Sequence, residues 1–240
     1  MARTSKEDLD KWFDNNVDIE NRTIYMGSVN KEDGVESGVD SFMTESFIKA
    51  LHVLEAKSND SINILMNNPG GDWYHGMAIF DAIKTSNCYC TIKVYGHAMS
   101  MGSLILQAAD HKILMPNSRF MIHYGYNGNS GHTKIFEKWA DEGKRLNFDM
   151  ENIYLQSMLD KEEKEGHGYL AKKLGEIMTR QYALNYPPPT SPKTYNFSKS
   201  NKKEEIREVL KEMLNFDTIL SAKETVDLGF ADEIETYKTQ

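Results

Sequence analysis

Cysteine is almost absent from this 240-residue chain: the only two, Cys88 and Cys90, lie two positions apart on a β-type run. Side chains at that spacing point to the same face of a strand and do not readily bridge each other, so no disulfide framework is expected. A reducing, cytoplasmic compartment follows as the expectation. Long apolar runs are missing too. Met1-Ala2-Arg3-Thr4-Ser5-Lys6-Glu7 lacks the apolar core of a signal peptide, and no stretch is long enough to span a bilayer. There is no long basic block, and the net charge is −8, which argues against nucleic acid as a partner. No His, Cys, Asp or Glu cluster has metal-ligand spacing, so neither a metal nor an organic cofactor is expected. No internal repeat is found. The length suits one α/β domain with a substantial core and an appendage.

What is present is an alternation of strand and helix patterns. Ser5–Phe13 reads as a short capped helix, Arg22–Val29 as a first strand, and the glycine- and acid-rich Asn30–Asp40 as a loop. Phe42–Ala56 reads as an amphipathic helix with Phe42, Phe47, Leu51 and Leu54 on one face. Three strand–helix units then run through Ala109, which predicts a largely parallel sheet with crossover helices. From Thr133 to Leu159 a long helical pattern places Ile135, Trp139, Leu146, Met150, Ile153 and Met158 near one stripe among many charges. That stripe needs a cover, either the chain's own sheet or another subunit.

Three segments carry chemistry. Gly96-His97-Ala98-Met99-Ser100-Met101-Gly102 follows the β-type run Cys90–Tyr95 and opens a helical run. Ser100 at such a junction is either a nucleophile elbow, with the Met101 N–H facing a developing oxyanion, or an N-capping serine. Asn68-Pro69-Gly70-Gly71 closes the run Ile62–Asn67 and precedes a helical pattern. It is a turn that exposes backbone N–H groups, Gly71 being the candidate second oxyanion donor. Arg119-Phe120-Met121-Ile122-His123 is a short apolar run ending in a histidine that can serve as general base. His52, His75, His97, His111, His132 and His167 are assigned no chemical role. Asp149, Asp160, Asp217, Asp227 and Asp232 are equally eligible by residue type as the partner of such a histidine.

The order Pro-Gly-Gly, then Gly-x-Ala-x-Ser-Met-Gly, then Met-Ile-His resembles the ClpP family, the proteolytic subunits of Clp proteases. The resemblance covers roughly residues 20–160 and 215–235, including Leu114–Arg119 and the closing pattern Asp217–Glu224. It implies the ClpP/crotonase-like fold of repeated strand–helix units with a projecting handle helix from about residue 133. It implies a serine endopeptidase triad of Ser100, His123 and Asp217, with the oxyanion hole at Gly71 and Met101. Substrate, an unfolded or extended polypeptide, would lie as a strand beside Gly70–Asp72 and Gly125–Tyr126. Family resemblance further implies a homo-oligomeric ring, or a stacked double ring joined by the handle, that encloses the sites, and a Clp-type ATPase partner. The domain so defined comprises residues 1–160 and 211–240.

The departures are equally specific. His123 and Asp217 lie 94 residues apart, longer than the family pattern, which indicates an insertion at 161–210. It contains the charge run Lys161–Glu165, a helical pattern at Leu170, Leu174, Ile177 and Met178, and the proline-rich Tyr186–Pro192. The insertion reads as a solvated surface excursion; the sharper alternative is a role at the ring contact or over the substrate groove. Phe216 stands where the family has arginine, and Tyr124-Gly125 follow the histidine in place of Gln-Pro. The N-terminal segment does not resemble the axial loop that meets an ATPase ring. Rival readings are a viral-type maturation protease without an ATPase, a crotonase-type acyl-CoA enzyme, and a non-catalytic ring subunit.

Overall fold

A computed structural model describes residues 12, 15–27, 38–126, 132–183 and 192–237. The helix expected over Ser5–Phe13 lies, apart from Trp12, outside the described residues, as do most of the Asn30–Asp40 loop and Tyr186–Pro189. The chain forms two compact units, residues 1–120 with 221–223 and 231–240, and residues 121–220 with 224–230.

The first unit is built on a sheet whose strands run in the order β1 (Val17–Asp18), β2 (Thr23–Gly27), β3 (Ile62–Asn68), β4 (Cys90–Met99), β5 (His111–Leu114) and β8 (Glu233–Ile234). β1 is antiparallel to β2, and the other pairs are parallel. Strict alternation in β3 buries Ile62, Ile64, Met66 and Asn68, and Ile64 stands in register with Ile24 of β2 and Ile92 of β4. Parallel neighbours need crossovers. α1 (Ser41–Glu55), α2 (Trp73–Thr85) and α3 (Met101–Leu106) supply them. Asp40 and Asp72 start α1 and α2 by accepting the N–H groups of Met43 and His75 at 2.8 and 2.9 Å. α1 buries Phe47, Ala50, Leu51 and Leu54, but Phe42, expected on that face, is exposed. Five residues from Phe42 to Phe47 turn the helix by about 500°, which leaves the two side chains well apart around the axis. The first strand, expected over Arg22–Val29, covers Thr23–Gly27 among the described residues, and residues 28 and 29 lie outside them.

The second unit is helical. α4 (Thr133–Glu165) runs through and beyond the expected Thr133–Leu159. Its N-terminal part exposes Ile135, Phe136 and Trp139, whereas Met150, Tyr154, Leu155, Met158 and Glu162 are buried at helical spacing. Gly166, at φ +104°, ends it, and the buried Glu162 carboxylate accepts the N–H groups of Gly168 and Leu170 at 2.7 and 2.8 Å, capping α5 (Tyr169–Ala183). α5 buries Leu170, Leu174, Ile177 and Met178, and α6 (Lys202–Leu214) buries Ile206, Val209, Leu210, Met213 and Leu214. A merely solvated excursion is therefore the wrong description of the described part of 161–210, because both helices there contribute a full apolar face to the core of this unit. β6 (Arg119–Ile122), on which the chain enters this unit, pairs with β7 (Thr218–Ser221), which is followed by α7 (Ala222–Asp227). Among the described residues no helix is long and apolar enough to cross a membrane, and no group of three or more His, Cys, Asp or Glu is placed to hold a metal ion.

Candidate active site

In the first unit, the register of β3 and β4 shifts between Met66 and Asn68, the latter standing opposite Ala98. Gly96, at φ +76°, makes the irregularity, and the Asn67 Oδ1 accepts the His97 N–H at 3.2 Å across it. Three residues after His97, Ser100 adopts φ +51°, ψ −123° immediately before α3. A positive φ costs an L-residue about 1–3 kcal/mol and persists only where the surroundings over-determine it. Here the Ser100 carbonyl accepts the N–H and hydroxyl of Ser103 at 3.0 and 2.6 Å, and all six residues of α3 are buried. The Ser100 side chain makes no cap hydrogen bond to the helix, so an ordinary N-cap does not describe it. A sharp, strained strand-to-helix turn with a serine at its corner is the backbone setting that a nucleophile elbow requires.

Gly70 lies against this turn. A Cβ on Gly70 would fall 2.5 Å from Ser100 Cβ, 2.8 Å from the Met99 carbonyl oxygen and 3.0 Å from the Met101 nitrogen. The main chain of Gly70–Asp72 is largely engaged: the Gly70 N–H donates to the buried Asn68 Oδ1 at 2.8 Å, and the Asp72 N–H donates to the Val39 carbonyl at 2.8 Å. The Val39 N–H donates to the Gly70 carbonyl, so Val39 and Gly71 form a parallel bridge. In such a bridge the N–H of the central residue, Gly71, points to the edge opposite Val39. Val39 thus occupies one edge of the segment expected to pair with substrate, which leaves the Gly71 edge for that role.

In the second unit, His123 follows β6 with its side chain 13% exposed, and its Nδ1 is 3.2 Å from the Asp217 Oδ1. Contact through Nδ1 leaves Nε2 as the ring nitrogen for proton transfer. Asp217 lies between the C-cap of α6 and the first residue of β7, 61% exposed. The other eligible aspartates are placed differently. Asp227 accepts Lys173 Nζ and the Tyr169 hydroxyl at 3.1 and 3.2 Å, Asp232 accepts the Lys112 N–H at 2.7 Å, and Asp160 accepts Gln156 at 2.7 Å. Asp149 is an exposed position of α4. Gly125 and Tyr126 are exposed, the Tyr126 ring standing edge-on to His123 with centroids 5.4 Å apart.

Sequence reading missed Asn68, Val39 and the support of the histidine. Asn68 carried a signal, an amide on the buried phase of an alternating strand. Val39 carried none. A surface groove of about 530 Å³, lined by α5 and residues 192–195, presents Lys172, Glu176, Thr179, Lys193, Thr194 and Tyr195 but no serine, cysteine or histidine.

Comparison with known proteins bears on the family of the chain. The Clp protease family model matches residues 21–174. An ATP-dependent Clp protease proteolytic subunit of Deinococcus radiodurans is 33% identical over 139 residues, 57% of this chain and 64% of the relative. The ATP-dependent Clp protease proteolytic subunit 2 of Pseudomonas aeruginosa is 33% identical over 157 residues, 63% of this chain and 72% of the relative. With the family model spanning more than half of it, the chain belongs to the Clp protease family.

Proposed function

We propose that the chain is a serine endopeptidase that hydrolyses peptide bonds of unfolded or extended polypeptides in ClpP-like protein degradation. Ser100 Oγ attacks the scissile carbonyl while His123 Nε2 takes its proton, and His123 then returns that proton to the leaving amine, giving an acyl-enzyme that water hydrolyses by the same route. Asp217 holds the imidazole by Nδ1 and stabilises its charged form. The N–H groups of Gly71 and Met101 receive the oxyanion, each contributing about 3–4 kcal/mol. Gly71 is favoured over its neighbours because the Gly70 and Asp72 N–H groups already have acceptors. Substrate would lie along Gly70–Asp72 on the Gly71 edge and beside Gly125–Tyr126, where backbone pairing gives weak sequence preference. The single observation that carries the reading is the strained φ of +51° at Ser100.

The assembly belongs to the same proposal. Residues 1–160 and 211–240 form the protease domain, α4 is its handle, and 161–210 is an insertion. The exposed Ile135, Phe136 and Trp139 on α4 support contact with further copies in a ring or stacked double ring. A Clp-type ATPase partner rests on the printed names of the relatives alone.

Treatment of the purified protein with a fluorophosphonate probe, followed by peptide mass spectrometry and native mass measurement, tests both parts. The expected result is an adduct on Ser100 in an oligomer, lost in Ser100→Ala and reduced at least about a thousandfold in rate in His123→Ala. Labelling elsewhere, or an unlabelled folded oligomer, would sink the catalytic assignment, and a monomer would sink the assembly.

A further inference from the structure

Extended backbone sends successive side chains to opposite faces. His123 meets Asp217, while Tyr124, the next residue, reaches a polar cluster inside the helical unit. Its hydroxyl donates to Glu151 Oε1 of α4 at 2.7 Å. Arg207 Nη1 of α6 lies 3.5 Å from the other oxygen of Glu151, and Arg207 Nη2 donates to Asn152 Oδ1 at 3.0 Å. The guanidinium also stands 5.5 Å from the centroid of the Phe148 ring. Glu151 and Arg207 are both buried, an arrangement that is costly unless each charge is paired and hydrogen-bonded. Burial, then the hydrogen bond to Glu151, push the Tyr124 phenol well above its ordinary range, so it remains a donor.

The main chain makes a second connection. The Tyr124 N–H donates to the Leu214 carbonyl at 2.9 Å, in the last turn of α6. The Met213 carbonyl of that turn accepts the Phe216 N–H at 3.3 Å and the Thr218 hydroxyl at 2.7 Å, on either side of Asp217. One helix end is therefore the common reference for both members of the His123–Asp217 pair.

We propose that Tyr124 is a positioning residue for His123, tying the histidine segment to α4 and α6 through the buried Glu151–Arg207 pair. The proposal rests on the reading of His123 as general base. The helices between His123 and Asp217 in sequence then form the frame that keeps the imidazole in place, and the tyrosine after the histidine is the side chain that locks into it.

The test is hydrolysis of a short fluorogenic peptide, with fluorophosphonate labelling, by Tyr124→Phe in the full-length chain. The expected outcome is a fall of about tenfold in kcat and in labelling rate, KM within about twofold, and retained helical circular dichroism, since small misplacements of a base lower rates without weakening binding. Arg207→Lys keeps a charge beside Glu151 but loses the bond to Asn152, and is expected to cost about three- to fivefold in the same quantities. In a His123→Ala background, Tyr124→Phe should have no further effect on labelling. Unchanged kcat in folded Tyr124→Phe, or an equal fold-loss with and without His123, would overturn the positioning role. Labelling that survives His123→Ala undiminished would instead overturn the reading of His123 on which it rests.

Discussion

Around Ser100 the polypeptide is held by its own main chain, whereas His123 and Asp217 are held by side chains and helix ends that come from far along the sequence. The serine turn depends on Gly96 and Gly70 at positive φ, on the Ser100 carbonyl bonded by Ser103, and on a fully buried six-residue helix. The histidine depends on α4 and α6, whose contributing residues lie 27 and 83–91 positions away from Tyr124 or His123 in sequence. Burial differs as well, since the helix after Ser100 is closed to solvent while Asp217 is 61% exposed. A backbone-encoded turn tolerates little change and announces itself in a few residues; a side-chain-encoded pair is more forgiving and is distributed.

That contrast is sharpest at Gly70. Gly70→Ala places a methyl group 2.5 Å from Ser100 Cβ, at a φ of +107° that L-residues rarely adopt. Relief requires the serine turn to move, and a displacement near 1 Å at a reacting atom costs about a hundredfold. Labelling of Ser100 by the fluorophosphonate probe should therefore fall about a hundredfold or more in a variant that still folds, as read by circular dichroism. A loss below tenfold would mean that the turn is not rigid and would remove the contrast.

Asp217→Asn addresses the forgiving side. A buried triad aspartate is worth about 10⁴ in kcat in the serine-protease template, because its loss leaves the imidazole in the wrong tautomer with an unpaired charge. At 61% exposure, water competes for the same role. The expected loss in peptidase kcat is about tenfold, smaller than for Gly70→Ala. A loss near 10⁴ would show that the carboxylate becomes shielded in the assembled protein.

The same contrast explains what could be read in the chain. The parallel sheet, its crossover helices and the helix from Thr133 follow from alternation and 3.6-residue periodicity. The serine, glycine and histidine motifs are local. Asp217 was equivalent to four other aspartates by residue type, and only the family resemblance selected it. The Val39–Gly71 bridge was illegible because it joins a valine to a glycine through main chain alone. Glu151 was hidden as one acid among many on α4, although it shares the buried stripe with Met150 and Tyr154. Phe42 is apolar but stands well around the axis of α1 from Phe47, and its exposure follows from that angle and not from its hydrophobicity. The charge run and prolines made 161–210 look solvated, yet the apolar positions of α5 and α6 decided its packing.

The smallest effect is expected where α5, α6 and residues 193–195 meet. The Glu212 carboxylate accepts the Tyr182 hydroxyl, Lys193 Nζ at 3.1 Å and the Tyr195 hydroxyl at 3.2 Å. Partial burial pushes its pKa up, but these donors together outweigh burial and leave it below the usual glutamate value. A depressed folded-state pKa contributes stability that is present above the unfolded value of 4.5 and is lost as pH falls through the folded one. Glu212→Gln should accordingly be less stable than wild type by on the order of 1 kcal/mol at pH 7, with the difference shrinking below pH ~4.5, in urea melts. Because this cluster braces the helices that carry the histidine frame and does not touch His123 or Asp217, peptidase kcat should stay within about twofold of wild type. A larger loss of kcat at unchanged stability would extend the His123 frame outward to α5, whereas a stability difference that persists undiminished at low pH would mean that packing around residue 212, not its charge, holds this corner together.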